Sequence, residues 1–403
     1  MDPEPPSREK PRGFHPGFNF KVLFGLFLVH FTGDFYISFV NPLLPELANR
    51  LSLTLTEVGL LTGLNRFLAF VVQPSVGYLA DRFRTRFFLI GGPLLAVLFV
   101  PLIGVAGSFW TALLFLAIGS IGSSMLHPSS AGMVPAYSGP NLSFFMAFYN
   151  LGGTLAFGLG PLFAAWYVTR FGLATLPYSA LLGLVGVVAM LGLVPRPEGE
   201  GLKNVGFFRS VQMALGPAWK TIALIWIIVV LRVFVSQSIN TFGPMLFARE
   251  GHSLMSIGTI ISAYLVGGAI SGLVFGGLAD RLGYKPIFLA TYALATPALH
   301  LFLVLPGQWI YAGSFAAGFF TLATMPLAVS MAQEMAPQGS SIVASLMMGL
   351  AFGTGGMMTP ITGWLCDIFN LRDVLLTVVW LPLLAIVLIY RLPSNPAANA
   401  PAC

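Results

Sequence analysis

The sequence predicts an all-α membrane protein with twelve transmembrane helices in two pseudo-symmetric six-helix bundles. Of its 403 residues, 56% are hydrophobic and only 8% are charged, whereas an ordinary soluble domain has roughly 25% charged residues. The apolar residues fall into twelve long runs, and a transmembrane helix needs about 20 such residues. The second six runs repeat the first six at a fixed spacing, which indicates an internal duplication.

The twelve runs define the organisation of the chain. A charged segment that starts with Pro195 and Arg196 separates the two halves and is typical of a linker. The predicted spans lie near residues 21–45, 55–80, 87–106, 109–134, 142–168, 173–194, 219–247, 255–279, 287–305, 308–334, 341–365 and 372–390. The predicted domains are a disordered cytoplasmic tail at 1–20, an N-terminal bundle at 21–194, a cytoplasmic linker at 195–218, a C-terminal bundle at 219–391 and a tail at 392–403.

Individual residues reveal the duplication. The segment Gly-Tyr-Leu-Ala-Asp-Arg at 77–82 returns 199 residues later as Gly-Gly-Leu-Ala-Asp-Arg at 276–281. The same offset pairs Phe35 with Phe234, Asn41 with Asn240, Pro45 with Pro244, Gly59 with Gly258, Trp110 with Trp309, Gly119 with Gly318 and Pro161 with Pro360. Because two similar halves can move around a site between them, this construction is typical of secondary transporters.

The net charge of +6 could indicate an anionic partner such as nucleic acid, or it could reflect membrane topology. The positions of the basic residues along the chain distinguish these two interpretations. If the N-terminus is cytoplasmic, fourteen lie on the inner side: Arg8, Lys10, Arg12, Lys21, Arg82, Arg84, Arg86, Arg196, Lys203, Arg209, Lys220, Arg281, Lys285 and Arg391. Four lie on the outer side: Arg50, Arg170, Arg249 and Arg372. This positive-inside bias indicates topology, with the lipid bilayer as partner, no nucleic acid, and both termini in the cytoplasm.

The repeated segment lies in a short loop, predicted to be cytoplasmic, between the second and third spans of each half. Its aspartate can face the amides of a helix N-terminus, and its arginine can pair with an acid or with C-terminal carbonyls. The motif would then hold the cytoplasmic side shut; the alternative is that its basic residues only orient the chain. The predicted gate residues are Gly77, Asp81, Arg82, Arg86, Gly276, Asp280 and Arg281.

This motif, present twice at equivalent places, resembles the signature loop of the major facilitator superfamily. Within the superfamily, nearly the whole chain resembles the fosmidomycin-resistance family of bacterial efflux proteins. The similar stretches are residues 29–34, 73–78, 122–128, 159–162 and 332–334 with the glycine-rich span that follows. The chain departs from that family at Arg66, Ser129 and Gly132, where a glutamine, an acidic residue and an arginine are usual.

The resemblance implies the major facilitator fold and a secondary active transporter of the bacterial inner membrane that works by alternating access. We expect proton-coupled efflux, an antiport, of a small anionic or amphiphilic compound, as in drug resistance. In the superfamily the first, fourth, seventh and tenth helices line a central cavity, which would place His30, Asp34, His127 and Arg232 there.

Ionisable residues inside the predicted spans are the main site candidates, because each costs at least roughly 2.5 to 3.5 kcal/mol at mid-depth. At about 1.5 Å per residue, Asp34 lies near the middle of the first span, and His30 lies one turn before it. Proton coupling needs a carboxylate or an imidazole whose proton affinity changes with access. We therefore predict Asp34 and His30 as the proton-coupling residues, with the proton as coupling ion and with neither cofactor nor metal.

Two arginines inside the spans against one aspartate leave a positive cavity, which favours an anionic small-molecule substrate. Arg66 and Arg232 lie near mid-depth, in the second and seventh spans. The predicted substrate-binding residues are Arg66, His127, Arg232, Tyr149 and Asn150. The alternative is an internal salt bridge between Asp34 and one of the two arginines.

Several spans are rich in glycine and proline. Proline removes a backbone hydrogen bond and glycine lowers the cost of distortion, so both favour helix bending. The predicted bending residues are Pro45, Gly160, Pro161, Pro244 and Pro360. The alternative for the glycines is close packing of helix backbones alone.

Three other functions stay open. A proton-coupled importer of an organic anion would use the same residues, because the sequence does not display direction. A copper transporter would use clustered methionines such as Met331 and Met335, although methionine is also a common apolar filler. A non-transporting membrane sensor is the third alternative. The charges at mid-membrane argue against it, because a sensor would gain nothing from the cost of inserting them. An enzyme is not expected, because the sequence has no set of nucleophile, base and orienting group, and we expect a monomer.

Overall fold

The structure is a computed structural model that describes residues 18–82, 86–139, 142–196, 212, 215–335, 343 and 346–393. Every regular element among these residues is helical, which confirms the predicted all-α class. Eleven helical segments in the described ranges are long and apolar enough to cross a membrane. Most of the predicted tails and of the linker at 195–218 lies outside the described residues.

The described residues of the N-terminal half contain seven α-helices, which correspond to the six predicted spans. They are α1 (Phe20–Ile37), α2 (Val40–Leu51), α3 (Leu55–Arg82), α4 (Gly92–Phe99), α5 (Phe109–Tyr137), α6 (Leu142–Phe171) and α7 (Ala180–Leu193). The first span combines α1 and α2. In the third span, α4 follows a π-helical turn at Phe87–Gly91 and is followed by a 3-10 segment at Val100–Val105. A 3-10 segment at Leu173–Ser179 precedes α7.

The C-terminal half repeats this arrangement. Its helices are α8 (Trp219–Arg249), α9 (Leu254–Leu282), α10 (Tyr284–Val304), α11 (Trp309–Leu322), α12 (Thr324–Met335), α13 (Ala351–Met357), α14 (Thr359–Ile368), α15 (Leu371–Val378) and α16 (Leu381–Ile389). The span predicted at 341–365 falls partly outside the described residues, and its described part is a π-helical turn at Leu346–Leu350 followed by α13 and α14.

Polar side chains placed just before the apolar runs explain where several helices begin. The Asn19 side chain accepts a hydrogen bond from the Val22 amide, and Ser253 does the same for the Ser256 amide ahead of α9. Ser108 and Thr111 form a reciprocal capping box at the start of α5. Such caps satisfy amides that have no partner within the helix.

Two of the helix interruptions lie next to a proline, but the proline is not always one that we predicted to bend a helix. The break between α1 and α2 lies at Ser38 and Phe39, whereas Pro45 lies inside α2. Pro42 lacks the amide hydrogen that would bond to the carbonyl of Ser38, and its ring crowds that carbonyl. Thus the break precedes Pro42 by one helical turn.

The other predicted bending residues differ in their surroundings. Gly160 and Pro161 lie inside the unbroken α6, and Pro244 lies inside the unbroken α8. Pro360 lies in the first turn of α14, directly after the interruption at Met358. Bending during a transport cycle stays a prediction for all of these positions.

Both halves have their ends on the same side of the membrane, here called the terminal side; the opposite side is the distal side. At the terminal side the Asn19 amide bonds to the Tyr137 carbonyl, so α1 begins where α5 ends. Lys285 at the start of α10 bonds to the carbonyls of Tyr390 and Leu392, which follow α16. Within the halves, α1 packs against α5, α6 and α7, and α8 packs against α12, α13 and α16.

The two halves meet through small residues in the distal parts of their helices. α3 packs against α13 and α14, and α6 packs against α9. A Cβ atom at Gly59 would lie 2.9 Å from the Cα of Pro360, and one at Gly258 would lie 2.5 Å from the Cβ of Ala165. Ser262 donates a hydrogen bond to the Gly158 carbonyl across the same boundary. Absent side chains therefore allow the close approach of backbones that closes the distal side.

A carboxylate from one half caps a helix of the other half at the distal side. Asp367, near the end of α14, accepts hydrogen bonds of 2.8 Å from the amides of both Leu55 and Thr56. The nearby Thr54 is occupied with Glu57, whose carboxylate accepts from the Thr54 amide and hydroxyl. Asp367 thus supplies the N-terminal cap of α3 across the boundary between the halves.

We expect Asp367→Asn to loosen the distal closure. The change removes a charge and one acceptor oxygen from the cap, and a lost cap costs about 0.5 to 2 kcal/mol. A cysteine at Thr241, which is buried and bonded to Thr62 of the other half, should then react about 2- to 30-fold faster with a thiol reagent. The background would carry C366A and C403S.

The matched control is Asp373→Asn, because Asp373 is an exposed acid in the first turn of α15. Removal of the Asp373 charge should leave the reaction rate of the cysteine at position 241 unchanged. Equal rates for the Asp367 variant and the parent protein would show that the cross-half cap does not hold the distal side closed.

Candidate functional site

The candidate site is built around Asp34, in the distal half of α1. Asp34 is 3% exposed. Acidic residues are rare in membrane-spanning helices, and those present face the protein interior or a cavity. The small residue Gly153 of α6 leaves room for it, since a Cβ there would lie 3.0 Å from Oδ2 of Asp34. Ser123 of α5 donates a hydrogen bond of 3.2 Å to Oδ1. The carboxylate is therefore enclosed by α1, α5 and α6 of the N-terminal bundle.

His30 contacts this carboxylate from one helical turn before it. Its Nε2 atom lies 3.2 Å from Oδ2 of Asp34, as the four-residue spacing predicts. Its Nδ1 atom lies 3.0 Å from the carbonyl oxygen of Tyr149 in α6. The Tyr149 ring stacks on the imidazole with 4.4 Å between centroids. The ring of His30 is thus held on both nitrogens and on one face.

His127 of α5 reaches the same carboxylate from another helix. Its Nε2 atom lies 3.5 Å from Oδ1 of Asp34, and its Nδ1 atom lies 2.7 Å from the Ser123 carbonyl oxygen. The His127 side chain is 32% exposed, against 4% for that of Asp34. His127 is therefore the member of this group that meets the space outside the bundle core. We call His30, Asp34 and His127 the His-Asp-His cluster.

The backbone partners determine which nitrogen of each imidazole carries hydrogen. A carbonyl oxygen only accepts, so both Nδ1 atoms must donate, and this assigns the hydrogens from the hydrogen-bond partners. The two Nε2 atoms then face the carboxylate of Asp34. In a neutral imidazole such an Nε2 presents a lone pair to an oxygen that also carries negative charge. A cation between an imidazole and Asp34 would relieve this repulsion, and a proton on Nε2 is the smallest such cation.

This convergence is restricted to one place among the residues that the structure describes. The donor atoms of the cluster lie within 4.8 Å of one another, and no other three His, Cys, Asp or Glu side chains in the described ranges meet in this way. Met331 and Met335, by contrast, are packed in the apolar core around α12.

Tyr149 and Asn150 have different surroundings although they are neighbours in α6. The Tyr149 hydroxyl forms a 2.7 Å hydrogen bond with Ser130, and its side chain is buried against His30. Asn150 is exposed. The structure thus places Tyr149 as a residue that positions the cluster, and substrate contact by either residue stays a prediction.

Arg232 lies in the other half, in the interior of the C-terminal bundle. It is 3% exposed, and its Nη1 atom donates a 3.4 Å hydrogen bond to the Thr321 carbonyl. Its guanidinium carbon lies 5.6 Å from the centre of the Phe352 ring. The ion pairs found in the described part of the chain join Asp34 to histidines and Glu250 to Arg372, and do not include Arg232. The predicted alternative, a salt bridge between Asp34 and an arginine, is not formed in this state.

Arg66 lies where the two halves meet. Its Cβ would be 2.5 Å from a Cβ at Gly356 of α13, so the absence of a side chain at Gly356 makes room for the arginine. Its side chain is half-buried and, like that of Arg232, takes part in no ion pair within the described ranges. Arg66 therefore faces the boundary between the halves.

The predicted gate residues lie at the terminal side, one set in each half. Gly77, Asp81 and Arg82 lie in the last turns of α3, and Gly276, Asp280 and Arg281 lie in the last turns of α9. The side chains of Asp81, Arg82 and Asp280 fall outside the described residues. Arg86 donates a 3.2 Å hydrogen bond to the Leu191 carbonyl at the end of α7. The latch role stays a prediction.

Sequence reasoning missed the groups that orient the imidazoles. The carbonyls of Ser123 and Tyr149 carry no signal in the sequence, because every residue has a carbonyl. Ser123 itself is in the segment 122–128 and lies four residues before His127, which is the spacing of one helical turn. That spacing was the available signal for a shared face of α5.

Comparison with known proteins agrees with this architecture. A family model described as the Major Facilitator Superfamily matches residues 26–339 and 225–402. The chain is 25% identical over 381 residues to the fosmidomycin resistance protein of Escherichia coli K12, with 94% of each chain covered. It is 30% identical over 206 residues to the 4-hydroxybenzoate transporter PcaK of Pseudomonas aeruginosa, covering 48% of this chain and 44% of that protein.

The fold is also similar to a solved structure. A bacterial homologue of the human lysosomal transporter Spinster, in an inward-facing and unoccupied conformation, superposes with a TM-score of 0.75. The match covers 94% of this chain and 97% of the other at 16% sequence identity. At that identity the likeness concerns the fold alone.

Proposed function

Because the chain belongs to the Major Facilitator Superfamily, we propose that it is a proton-coupled transporter that exports a small anionic or amphiphilic compound by alternating access. The observation that carries this proposal is the geometry of the His-Asp-His cluster, in which two imidazole Nε2 atoms converge on one buried carboxylate. We place the protein in the bacterial inner membrane with both termini in the cytoplasm, on the grounds of its basic-residue distribution.

The cluster has the properties of a proton-carrying site. With both Nδ1 atoms held by carbonyls, the exchangeable positions are the Nε2 atoms and the Asp34 carboxylate. Successive protonation of the two imidazoles would take the net charge of the cluster from −1 to +1. His127 is the most exposed of the three side chains and would exchange protons with the cavity, whereas His30 and Asp34 lie behind it. A change in access to His127 would then load or unload the cluster.

The anionic character of the cargo is proposed from the unpaired arginines. Arg66 faces the boundary between the halves and Arg232 lies in the C-terminal bundle, and neither has an acidic partner in the described ranges. Unpaired charge in a membrane-spanning region favours a function in which an opposite charge arrives with the substrate. The fosmidomycin resistance protein and the 4-hydroxybenzoate transporter among the relatives agree with this choice.

Electrostatics also favours a second candidate, an importer that moves the anion together with protons. A protonated cluster carries positive charge and would attract an anion, so both would be bound in the same state. Export by exchange requires the two to be bound in turn. The similarity to a resistance protein favours export, and the positive charge of the protonated cluster favours import.

The test uses purified protein in liposomes with an imposed pH gradient. A panel of phosphonates including fosmidomycin, carboxylates including 4-hydroxybenzoate, and hydrophobic drugs would be assayed for uphill flux. We expect movement of an anion against its gradient and opposite to the protons. Uphill flux in the same direction as the protons would establish the importer, and flux insensitive to the pH gradient would remove proton coupling from either version.

A further inference from the structure

The C-terminal bundle contains a buried positive charge without a compensating anion among the described residues. Arg232 is 3% exposed, and its Nε and Nη2 atoms have no hydrogen-bond partner there. Its one hydrogen bond in these ranges, from Nη1 to the Thr321 carbonyl, is long at 3.4 Å. An arginine keeps its proton in proteins, so its burial without an anion is unfavourable. The Phe352 ring offsets only part of that penalty.

Two further donors adjoin the same small cavity. The Thr321 and Thr324 side chains are buried, and within the described part of the chain their hydroxyls have no hydrogen-bond partner of good geometry. Tyr292, which also lines the cavity, donates its hydroxyl hydrogen to the Ile228 carbonyl. The Thr324 hydroxyl lies near that of Tyr292, and the Thr321 hydroxyl lies near that of Tyr264, but neither makes a hydrogen bond of good geometry there. Both threonine hydroxyls can therefore turn to donate toward the cavity that Arg232 faces. The guanidinium of Arg232 and these two hydroxyls together form a set of donors that lacks a well-placed acceptor.

The two halves of the molecule are complementary in this respect. In the N-terminal bundle the anion Asp34 has Ser123 and two imidazoles as partners. Under the 199-residue offset Arg232 corresponds to Gly33, next to Asp34. The C-terminal bundle thus holds a cation at nearly the equivalent place, but the described residues around it supply no anion. A water molecule would satisfy a hydrogen bond there and would leave the charge uncompensated.

The size of the cavity restricts the occupant. Its volume is about 10 Å³, enough for about one water-sized group. Apolar walls, formed by Val235, Ala295, Phe320 and Pro382, surround the polar end. We infer that Arg232, Thr321 and Thr324 form a binding site for one compact anionic group, either a halide ion or the charged tip of an organic anion. This extends the proposed function, which assigns Arg232 to an anionic cargo.

The inference is tested by binding alone, without a pH gradient. Purified full-length protein is melted in sodium gluconate, whose hydroxylated chain does not match the apolar walls of the cavity, and in mixtures with chloride, acetate or methylphosphonate at constant ionic strength. We expect chloride to give a saturable rise in Tm of roughly 2 to 4 °C. A similar rise with acetate or methylphosphonate identifies the site as one for the charged end of an organic anion, and a rise with chloride alone identifies a resident halide site.

Three variants make the result specific. Arg232→Gln removes the uncompensated charge, so it should melt no lower than the parent in gluconate and show no anion-dependent shift. Thr324→Val keeps the shape and should raise the half-saturating anion concentration at least about threefold. Thr296→Val is the matched control, because Thr296 is also buried with a hydroxyl unpartnered among the described residues but does not line the cavity. Its half-saturating concentration should equal that of the parent.

Two outcomes would overturn the site. One is a Tm that is the same in all four anions, and the other is an equal anion-dependent shift in the parent and in Arg232→Gln. Neither outcome depends on proton coupling. Loss of gradient-driven flux with intact anion binding would instead contradict the proposed coupling while leaving this site in place.

Discussion

Asp34→Asn is expected to abolish uphill transport while leaving the protein folded. Asparagine has nearly the shape of aspartate and keeps an oxygen that can accept the hydrogen bond from Ser123. It cannot carry the negative charge that draws two imidazole Nε2 atoms together. With one coupled proton, a gradient of one pH unit sustains about a tenfold accumulation. The variant should reduce that ratio to about 1.

The measurement is the steady-state ratio of cargo across the liposome membrane, together with counterflow of labelled cargo without a pH gradient. Counterflow needs alternating access and does not need net proton movement, so it should persist in Asp34→Asn. The control is Asp373→Asn, an exposed acid in α15 far along the chain from the cluster. If Asp34→Asn retained the tenfold accumulation, the cluster would not be the coupling site.

The sequence predicted the parts of this site that depend on local spacing. Asp34 and His30 are four residues apart in one helix, and their contact follows directly from helix geometry. His127 was predicted as a substrate ligand in the cavity, and this role stays a prediction. The structure adds a contact with Asp34 from α5 that the sequence did not indicate. That contact depends on the rotation of α5 relative to α1. Gly33 of α1 leaves room there for the Leu126 side chain of α5, and no periodic pattern in either helix reports this contact.

The interruption of the first span illustrates the same limit. Proline is a source of helix distortion, but the sequence offers Pro42 and Pro45 within one turn. The break falls at Ser38 and Phe39, where Pro42 would require a bond that it cannot make. Pro45 would oppose the carbonyl of Asn41, which lies inside the continuous α2. Local geometry would allow either proline to interrupt the helix, so the choice between them depends on tertiary packing.

Closure of the distal side depends on close contacts between helices of the two halves. A glycine in such a contact leaves no room for a larger side chain. Gly59 of α3 lies against the start of α14, and a Cβ there would lie 3.0 Å from the Thr359 carbonyl oxygen and 2.9 Å from the Cα of Pro360. These are backbone atoms, which cannot move aside as a flexible side chain can. A larger residue at position 59 would therefore overpack the distally closed state and would be accommodated when the halves separate.

We expect Gly59→Leu to shift the conformational equilibrium toward the distally open state by about 5- to 150-fold. Overpacking a close contact costs about 1 to 3 kcal/mol, and the cost applies to one of the two states. Spin labels at Gly107 and Gln308, exposed residues in distal loops of opposite halves, would report the separation as a distance distribution. The labelled background would carry C366A and C403S.

Gly192→Leu is the matched control, because Gly192 lies in α7 and a Cβ at that position would meet open space among the described residues. The control should keep the distance distribution of the parent and its rate of counterflow. Gly59→Leu should lengthen the distal distance and slow counterflow, because an alternating cycle must pass through the distally closed state. An unchanged distance in Gly59→Leu would mean that α3 and α14 separate little during the cycle. The distal gate would then have to open along the contact between α6 and α9, where Gly258 occupies the equivalent position.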